Sequence, residues 1–141
     1  MGFLATDITP LQSPSPLIPS GKEHQIKVFQ VSRTDTVSSV KAVLPADSSV
    51  FNVWLFRNGV SNAATTATVT ITVANNGGTI STSSYDVKTS GDTTAVIQMT
   101  NLPNIQPTPL NGDLTVTAVY AETGTASTLG GPWKIGIEYV R

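Results

Sequence analysis

Hydroxyl and apolar side chains alternate without interruption over eight residues in the middle of the chain. The run is Thr66-Ala67-Thr68-Val69-Thr70-Ile71-Thr72-Val73. A period of two places the threonines on one face of a β-strand and the apolar residues on the other. Leu114-Thr115-Val116-Thr117-Ala118 has the same pattern. The alternation predicts sheets with one buried face and one neutral, polar face.

Turn-forming residues divide the chain after His24 into eight segments that favour strands. The predicted strands are 25–33, 37–44, 50–57, 65–74, 79–88, 93–100, 113–121 and 133–139. The abundance of β-branched residues, with 21 threonines, 15 valines and 9 isoleucines, favours strands over helices. In the first strand, Ile26 and Val28 share one face and Phe29 and Val31 the other. Eight short strands predict an all-β fold, a single antiparallel β-sandwich, with a jelly roll slightly preferred.

Both tryptophans lie inside apolar alternations. In the third strand Phe51, Val53 and Leu55 alternate with Val50, Trp54 and Phe56, so both faces are apolar and the strand is expected in the middle of a sheet. In the last strand Trp133, Ile135, Ile137 and Tyr139 alternate with Lys134, Gly136 and Glu138. Core packing is therefore expected for both tryptophans, rather than stacking on sugar rings.

Residues 1–22 differ in composition from the predicted β-sandwich domain of residues 23–141. They contain four prolines within ten residues, Pro10, Pro14, Pro16 and Pro19. Proline removes backbone donors, so this segment cannot enter the interior of a sheet and is expected to be extended, with a reach of roughly 70 Å. Two interpretations stay open, a disordered terminus and an arm that lies on a neighbouring subunit. The second is preferred, with Leu11, Leu17 and Ile18 as candidate partner-binding residues.

Composition narrows the classes of partner. The chain has 141 residues, which suits one domain, and no cysteine. Only 12% of its residues are charged, the net charge is −1, and the basic residues are scattered singly, so no nucleic-acid partner is expected. The first residues show neither a secretory signal nor a membrane span, and no membrane partner is expected. Because low charge disfavours solubility of a free monomer, the composition is typical of a protein that lives in an assembly.

Few residues could carry acid–base or metal chemistry. His24 is the only histidine, is expected to be an exposed polar residue, and has no nucleophile motif beside it. The nine carboxylates are dispersed, and most lie where a turn favours a capping oxygen. No zinc or calcium motif and no glycine-rich phosphate loop occurs. The sequence therefore predicts no catalytic, cofactor-binding or metal-binding residues, no cofactor, and a protein that is not an enzyme.

Four segments carry a resemblance to a known group of proteins. They are Lys41-Ala42-Val43-Leu44-Pro45-Ala46-Asp47-Ser48-Ser49-Val50, Ser61-Asn62-Ala63-Ala64-Thr65-Thr66-Ala67-Thr68-Val69, Tyr85-Asp86-Val87-Lys88, and the stretch from Tyr120 through Gly130-Gly131-Pro132-Trp133. Their order resembles small structural proteins of tailed bacteriophages, some of which are capsid decoration (cement) proteins. The resemblance covers about residues 37–141. The resemblance does not identify any capsid-contacting residue in this chain.

The resemblance implies a jelly-roll-like domain on the outer capsid surface of the virion, made in the host cytoplasm. The implied partners are the major capsid protein and further copies of the chain, with a trimer favoured. The main alternative is a receptor- or glycan-binding, immunoglobulin-like adhesion module of a tail or head fibre. A third hypothesis is a β-sandwich polysaccharide hydrolase, for which no acid–base pair is evident.

Overall fold

The described part of the chain folds into eight strands, as the alternation predicts. A computed structural model describes residues 23–45, 48–57, 59–89, 96–99 and 113–141. The strands are β1 (His24–Val31), β2 (Val37–Leu44), β3 (Ser49–Phe56), β4 (Thr66–Asn75), β5 (Gly78–Asp86), β6 (Val96–Gln98), β7 (Leu114–Thr123) and β8 (Trp133–Val140). Each overlaps a predicted segment, although β6 is much shorter than predicted and β7 extends two residues further. The predicted arm, with Leu11, Leu17 and Ile18, lies outside the described residues.

The strands form two four-stranded antiparallel sheets packed face to face. Sheet A has the order β1-β8-β3-β6, and sheet B has the order β2-β7-β4-β5. This is the strand order of a jelly roll, which confirms the all-β sandwich and the preferred topology. It differs from the order of an immunoglobulin sandwich. β3 lies between β8 and β6, as its two apolar faces indicate.

The core lies between the sheets and is filled by the apolar side of each alternation. In β4 the inward residues Ala67, Val69, Ile71 and Val73 are at most 1% exposed. In β8 the inward series Trp133, Ile135, Ile137 and Tyr139 is equally buried or nearly so. Burying a large aliphatic side chain contributes about 1.5–3 kcal/mol before entropy is counted, so these two strands anchor the sandwich from both sides.

A β-bulge in β3 corrects one prediction from the sequence. The pattern grouped Phe51 with Val53 and Leu55, but the register of β3 against β8 shifts between Val50 and Asn52. The extra residue reverses the alternation, because two residues of β3 there face one of β8. Val50 is therefore fully buried with Val53, whereas Phe51 is 44% exposed.

Candidate binding surface

The outer face of sheet B carries hydroxyl groups along β4 and its two neighbours, with Val37 and Val43 exposed on the edge strand β2. Threonines of β4 pair across strands with hydroxyl side chains of β5 and β7. The Thr70 hydroxyl lies 2.7 Å from that of Ser84, and the Thr66 hydroxyl lies 2.7 Å from that of Thr123. Such pairs satisfy one another and leave capacity for water. This face has the properties of a surface in contact with solvent.

The outer face of sheet A is different, because it carries large apolar side chains. We name this surface the apolar outer face; its members are Ile26, Val28, Phe51, Trp54, Phe56 and Val96. Ile26 is 63% exposed, Val28 is 58% exposed and Val96 is 43% exposed. Trp54 and Phe56 are half-buried. Large apolar side chains exposed together on one face are typical of an interaction site.

Gly136 of β8 allows the two aromatic rings to lie close to the sheet. It is paired with Trp54 on one side and with Val28 on the other. A Cβ at this position would lie 3.1 Å from Phe56 Cε2 and 3.9 Å from Trp54 Cδ1. A side chain here would press on the Phe56 ring and would lie in ordinary contact with Trp54, so the glycine lets the Phe56 ring lie against β8.

Three polar side chains border the aromatic rings. The Asn52 amide donates a hydrogen bond of 2.8 Å to Glu138 Oε2. The Gln98 amide in turn donates to Asn52 Oδ1. The hydrogen bonds fix a row of amides and a carboxylate beside Trp54. Aromatic faces next to such groups can bind both apolar protein surfaces and the hydroxylated rings of sugars.

A second cluster, at one end of the sandwich, is buried and is centred on Glu122. Arg33 from the β1–β2 connection donates to Glu122 Oε1 from Nε at 3.0 Å and from Nη2 at 2.8 Å. The Ser127 backbone N–H and the Tyr120 hydroxyl donate to the same carboxylate. The hydrogen bonds from Arg33, Tyr120 and Ser127, led by the guanidinium, lower the pKa of Glu122 to about 2. The carboxylate therefore stays ionised.

Tyr120 joins this cluster to the core. Burial is the main reason that the pKa of its phenol is raised. Because its O–H is used on Glu122, the Ser61 hydroxyl at 2.8 Å is the donor to the phenol oxygen. Its ring stacks on Trp133 with centroids 4.7 Å apart, and Trp133 Nε1 donates to the Gly59 carbonyl at 2.9 Å. The cluster ties three connections of the sandwich together.

The Glu122 cluster is built for structure rather than acid–base chemistry, since its carboxylate is shielded and fully engaged. The interpretation of the carboxylates as turn caps does not hold for Glu122. A signal was present in the sequence, because the alternation from Leu114 places residue 122 on the same inward face as Tyr120. An acid on the buried face of a strand needs a partner, and sequence alone does not identify Arg33.

The structure shows where the residues singled out from the sequence lie. Trp133 is fully buried, which confirms its prediction, but Trp54 lies on the apolar outer face, so its assignment to the core was wrong. His24 is exposed as expected, with its ring 5.2 Å from that of Phe51. Within the described residues, no three His, Cys, Asp or Glu side chains are grouped so that they could hold a metal ion. No helix in that part of the chain is suited to crossing a membrane.

Comparisons with known proteins give structural matches only. No protein family matches the chain, and no curated protein matches it. Among solved structures, a chain in the structure of the infectious bursal disease virus Gx strain matches with 13% identity and a TM-score of 0.44. The match covers 86% of this chain and 32% of the viral chain. The VP2 subviral particle of the same virus matches with 13% identity and a TM-score of 0.44, over 91% of this chain and 36% of that one.

A carbohydrate-binding module also matches. TmCBM61, solved with β-1,4-galactotriose, has 16% identity and a TM-score of 0.40 over 86% of this chain and 88% of that one. The chain spans about a third of the two viral chains and most of the carbohydrate-binding module. Likeness at these identities and scores does not transfer a function to this chain.

Proposed function

We propose that the chain is a non-enzymatic structural protein of a virus particle, of the capsid decoration type found in tailed bacteriophages. It binds the outer surface of the head and stabilises contacts between capsid subunits. Its partners are the major capsid protein and other copies of the chain, with a trimer as the favoured assembly. The resemblance of residues 37–141 to small phage structural proteins supports the virion role.

The observation that carries the proposal is the contrast between the two outer faces. Both edge strands β1 and β2 expose valines, but the centre of sheet B offers the hydroxyl groups of β4, whereas the centre of sheet A offers Trp54 and Phe56 of β3. A free protein gains nothing from exposing such a surface, and a protein that docks onto a lattice of subunits gains by burying it. The two charged residues of β8 on this face, Lys134 and Glu138, are opposite in sign, so we expect its binding to depend little on salt.

The test is binding to head particles that lack the protein, using two matched variants. Val28→Glu places a charge on the apolar outer face, and Val37→Glu places the same charge on the outer face of sheet B. The two valines are 58% and 60% exposed, so neither change disturbs the core. We expect the number of bound copies, counted by quantitative mass spectrometry after sedimentation, to fall at least about tenfold for Val28→Glu only, the effect of roughly 1.4 kcal/mol or more.

Two results would contradict the proposal. Equal binding of both variants to the particles would show that the apolar outer face is not the contact surface. Failure of the unmodified protein to bind particles would remove the virion role itself.

A glycan-binding adhesion module is the second candidate, favoured by a specific observation. Trp54 presents its ring beside the hydrogen-bonded row of Asn52, Gln98 and Glu138. Titration of oligosaccharides against the protein, followed by tryptophan fluorescence, tests this function. Saturable binding that is lost in Trp54→Ala and kept in Val37→Glu would favour the glycan-binding module. If no oligosaccharide of a broad panel changes the tryptophan fluorescence, the glycan-binding function is rejected and the capsid role is the one candidate that is kept.

A further inference from the structure

The hairpin between β4 and β5 exposes an asparagine that is followed by a glycine. β4 ends at Asn75, β5 begins at Gly78, and these two residues are paired, so Asn76 and Gly77 form the turn. Asn76, Gly77 and Gly78 are all exposed. A Cβ built on Gly78 would find no atom within 4 Å. The space around the turn is therefore open to solvent and to movement of the Asn76 side chain.

An asparagine followed by a glycine can react with its own backbone. When the Gly77 N–H loses its proton to a solvent base, the nitrogen can attack Cγ of Asn76, because glycine has no side chain that obstructs the approach. A bond forms between the Gly77 nitrogen and Cγ, the bond between Cγ and the amide nitrogen breaks, and that nitrogen takes up a proton and leaves as ammonia. Water then opens the cyclic imide at either carbonyl. The product is aspartate, or isoaspartate with the main chain running through the side-chain carbonyl.

Asn75 restrains the nucleophile of this reaction. The Gly77 N–H donates a hydrogen bond of 2.8 Å to Asn75 Oδ1, the arrangement of an Asx turn. The acceptor stabilises the protonated amide, so the attacking nitrogen forms less readily. Within the part of the chain that the structure describes, no hydrogen bond holds the Asn76 carboxamide. The attacked group is thus unrestrained, and the Asn75 carboxamide is the one contact that slows the attack.

Other asparagine positions are less suited to the reaction. Asn52 and Asn62 are hydrogen-bonded through their carboxamides, and each is followed by a residue with a side chain. Gly59 also follows an asparagine, but Gly59 is buried, and a Cβ on it would lie 2.5 Å from Gly131 Cα. Because closing the imide ring requires the backbone to rotate, such close packing at Gly59 opposes it.

We propose that Asn76 is a site of spontaneous deamidation in the folded protein and that Asn75 sets its rate. The reaction needs only water and a solvent base. It adds one negative charge to a chain whose net charge is −1. Isoaspartate also adds one carbon atom to the main chain of the turn that joins β4 to β5. The proposal does not rest on the proposed function.

Peptide mapping of the full-length protein after incubation at mildly alkaline pH tests the site. Mass spectrometry follows the conversion of amide to acid at each asparagine, and chromatography separates aspartate from isoaspartate. We expect Asn76 to convert ahead of Asn52, Asn62 and the asparagine before Gly59. In Gly77→Ala, conversion at Asn76 should be lost; the positive φ of the turn, 119°, belongs to Gly78, so alanine fits at position 77. Absence of conversion at Asn76, or the same conversion in Gly77→Ala, would overturn the proposal.

Two variants of Asn75 test its role. Asn75→Ala removes the acceptor of the Gly77 N–H, and Asn75→Asp keeps one. We expect conversion at Asn76 to be about two- to tenfold faster in Asn75→Ala, the range that corresponds to one net hydrogen bond, and no faster in Asn75→Asp. In concentrated urea the unmodified protein and Asn75→Ala should convert at the same rate, because the turn is no longer formed. Equal rates in the folded proteins, or an acceleration that persists in urea, would overturn the role of Asn75.

Discussion

Replacing Trp133 by alanine should remove much of the stability of the sandwich. The side chain is fully buried, its ring stacks on that of Tyr120, and its N–H donates to the Gly59 carbonyl. Truncating a buried tryptophan costs about 3–5 kcal/mol, because the cavity closes only in part. The Gly59 carbonyl also loses its donor, which favours the upper end of the range. We expect a loss of about 4–5 kcal/mol in the free energy of unfolding.

The protein supplies its own control, since Trp54 is the only other tryptophan. Trp54→Ala truncates the same side chain on the apolar outer face and should cost at most about 1 kcal/mol. Urea unfolding followed by the fluorescence of the remaining tryptophan measures both variants with one assay. If Trp133→Ala does not fold, Trp133→Phe should still be less stable than Trp54→Ala. Equal losses in the two alanine variants would refute the assignment of one tryptophan to the core and the other to the surface.

Two further predictions concern the buried cluster. Because the pKa of Glu122 is lowered from 4.5 to about 2, its stabilising contribution should be complete above pH 4.5 and lost as the pH falls toward 2. Urea midpoints measured across this range should fall more steeply with decreasing pH in the unmodified protein than in Glu122→Gln, and parallel curves would contradict this prediction. Tyr120→Phe should cost about 1–3 kcal/mol, because Glu122 loses one of its buried donors and the Ser61 hydroxyl loses its acceptor, whereas Tyr139→Phe removes a hydroxyl that bonds Gln25 at the margin and should cost no more than about 1 kcal/mol. Chemical denaturation compares the two variants, and equal costs would argue against a coupled cluster.

The alternation of side chains was sufficient to predict the strands and most of their buried faces. In β4 every second residue from Thr66 to Thr72 is a threonine, so hydrophobicity alone assigns the inward face. In β8 the charged residues Lys134 and Glu138 mark the outward face, and Trp133 is correctly placed in the core. Where one face of a strand is polar, the period of two is sufficient to identify the buried face.

The same reasoning fails where both faces of a strand are apolar. In β3 hydrophobicity does not distinguish Trp54 from Val53, and the bulge between Val50 and Asn52 reverses the alternation without a local sequence signal. The pairing of Arg33 with Glu122 joins residues 89 positions apart, so only the folded topology reveals it. The apolar outer face could not be predicted for the same reason. Its residues lie on β1, β3 and β6, and these strands come together in one sheet with β8 only in the folded protein.

The number of copies in purified particles tests the proposed virion role most directly. Quantitative mass spectrometry against the major capsid protein measures this ratio without any variant. A decoration protein that closes symmetrically on the head lattice should be present at about one copy per capsid subunit. A ratio of a few copies per hundred subunits would indicate a fibre, neck or tail component instead. Complete absence from particles would contradict the virion role.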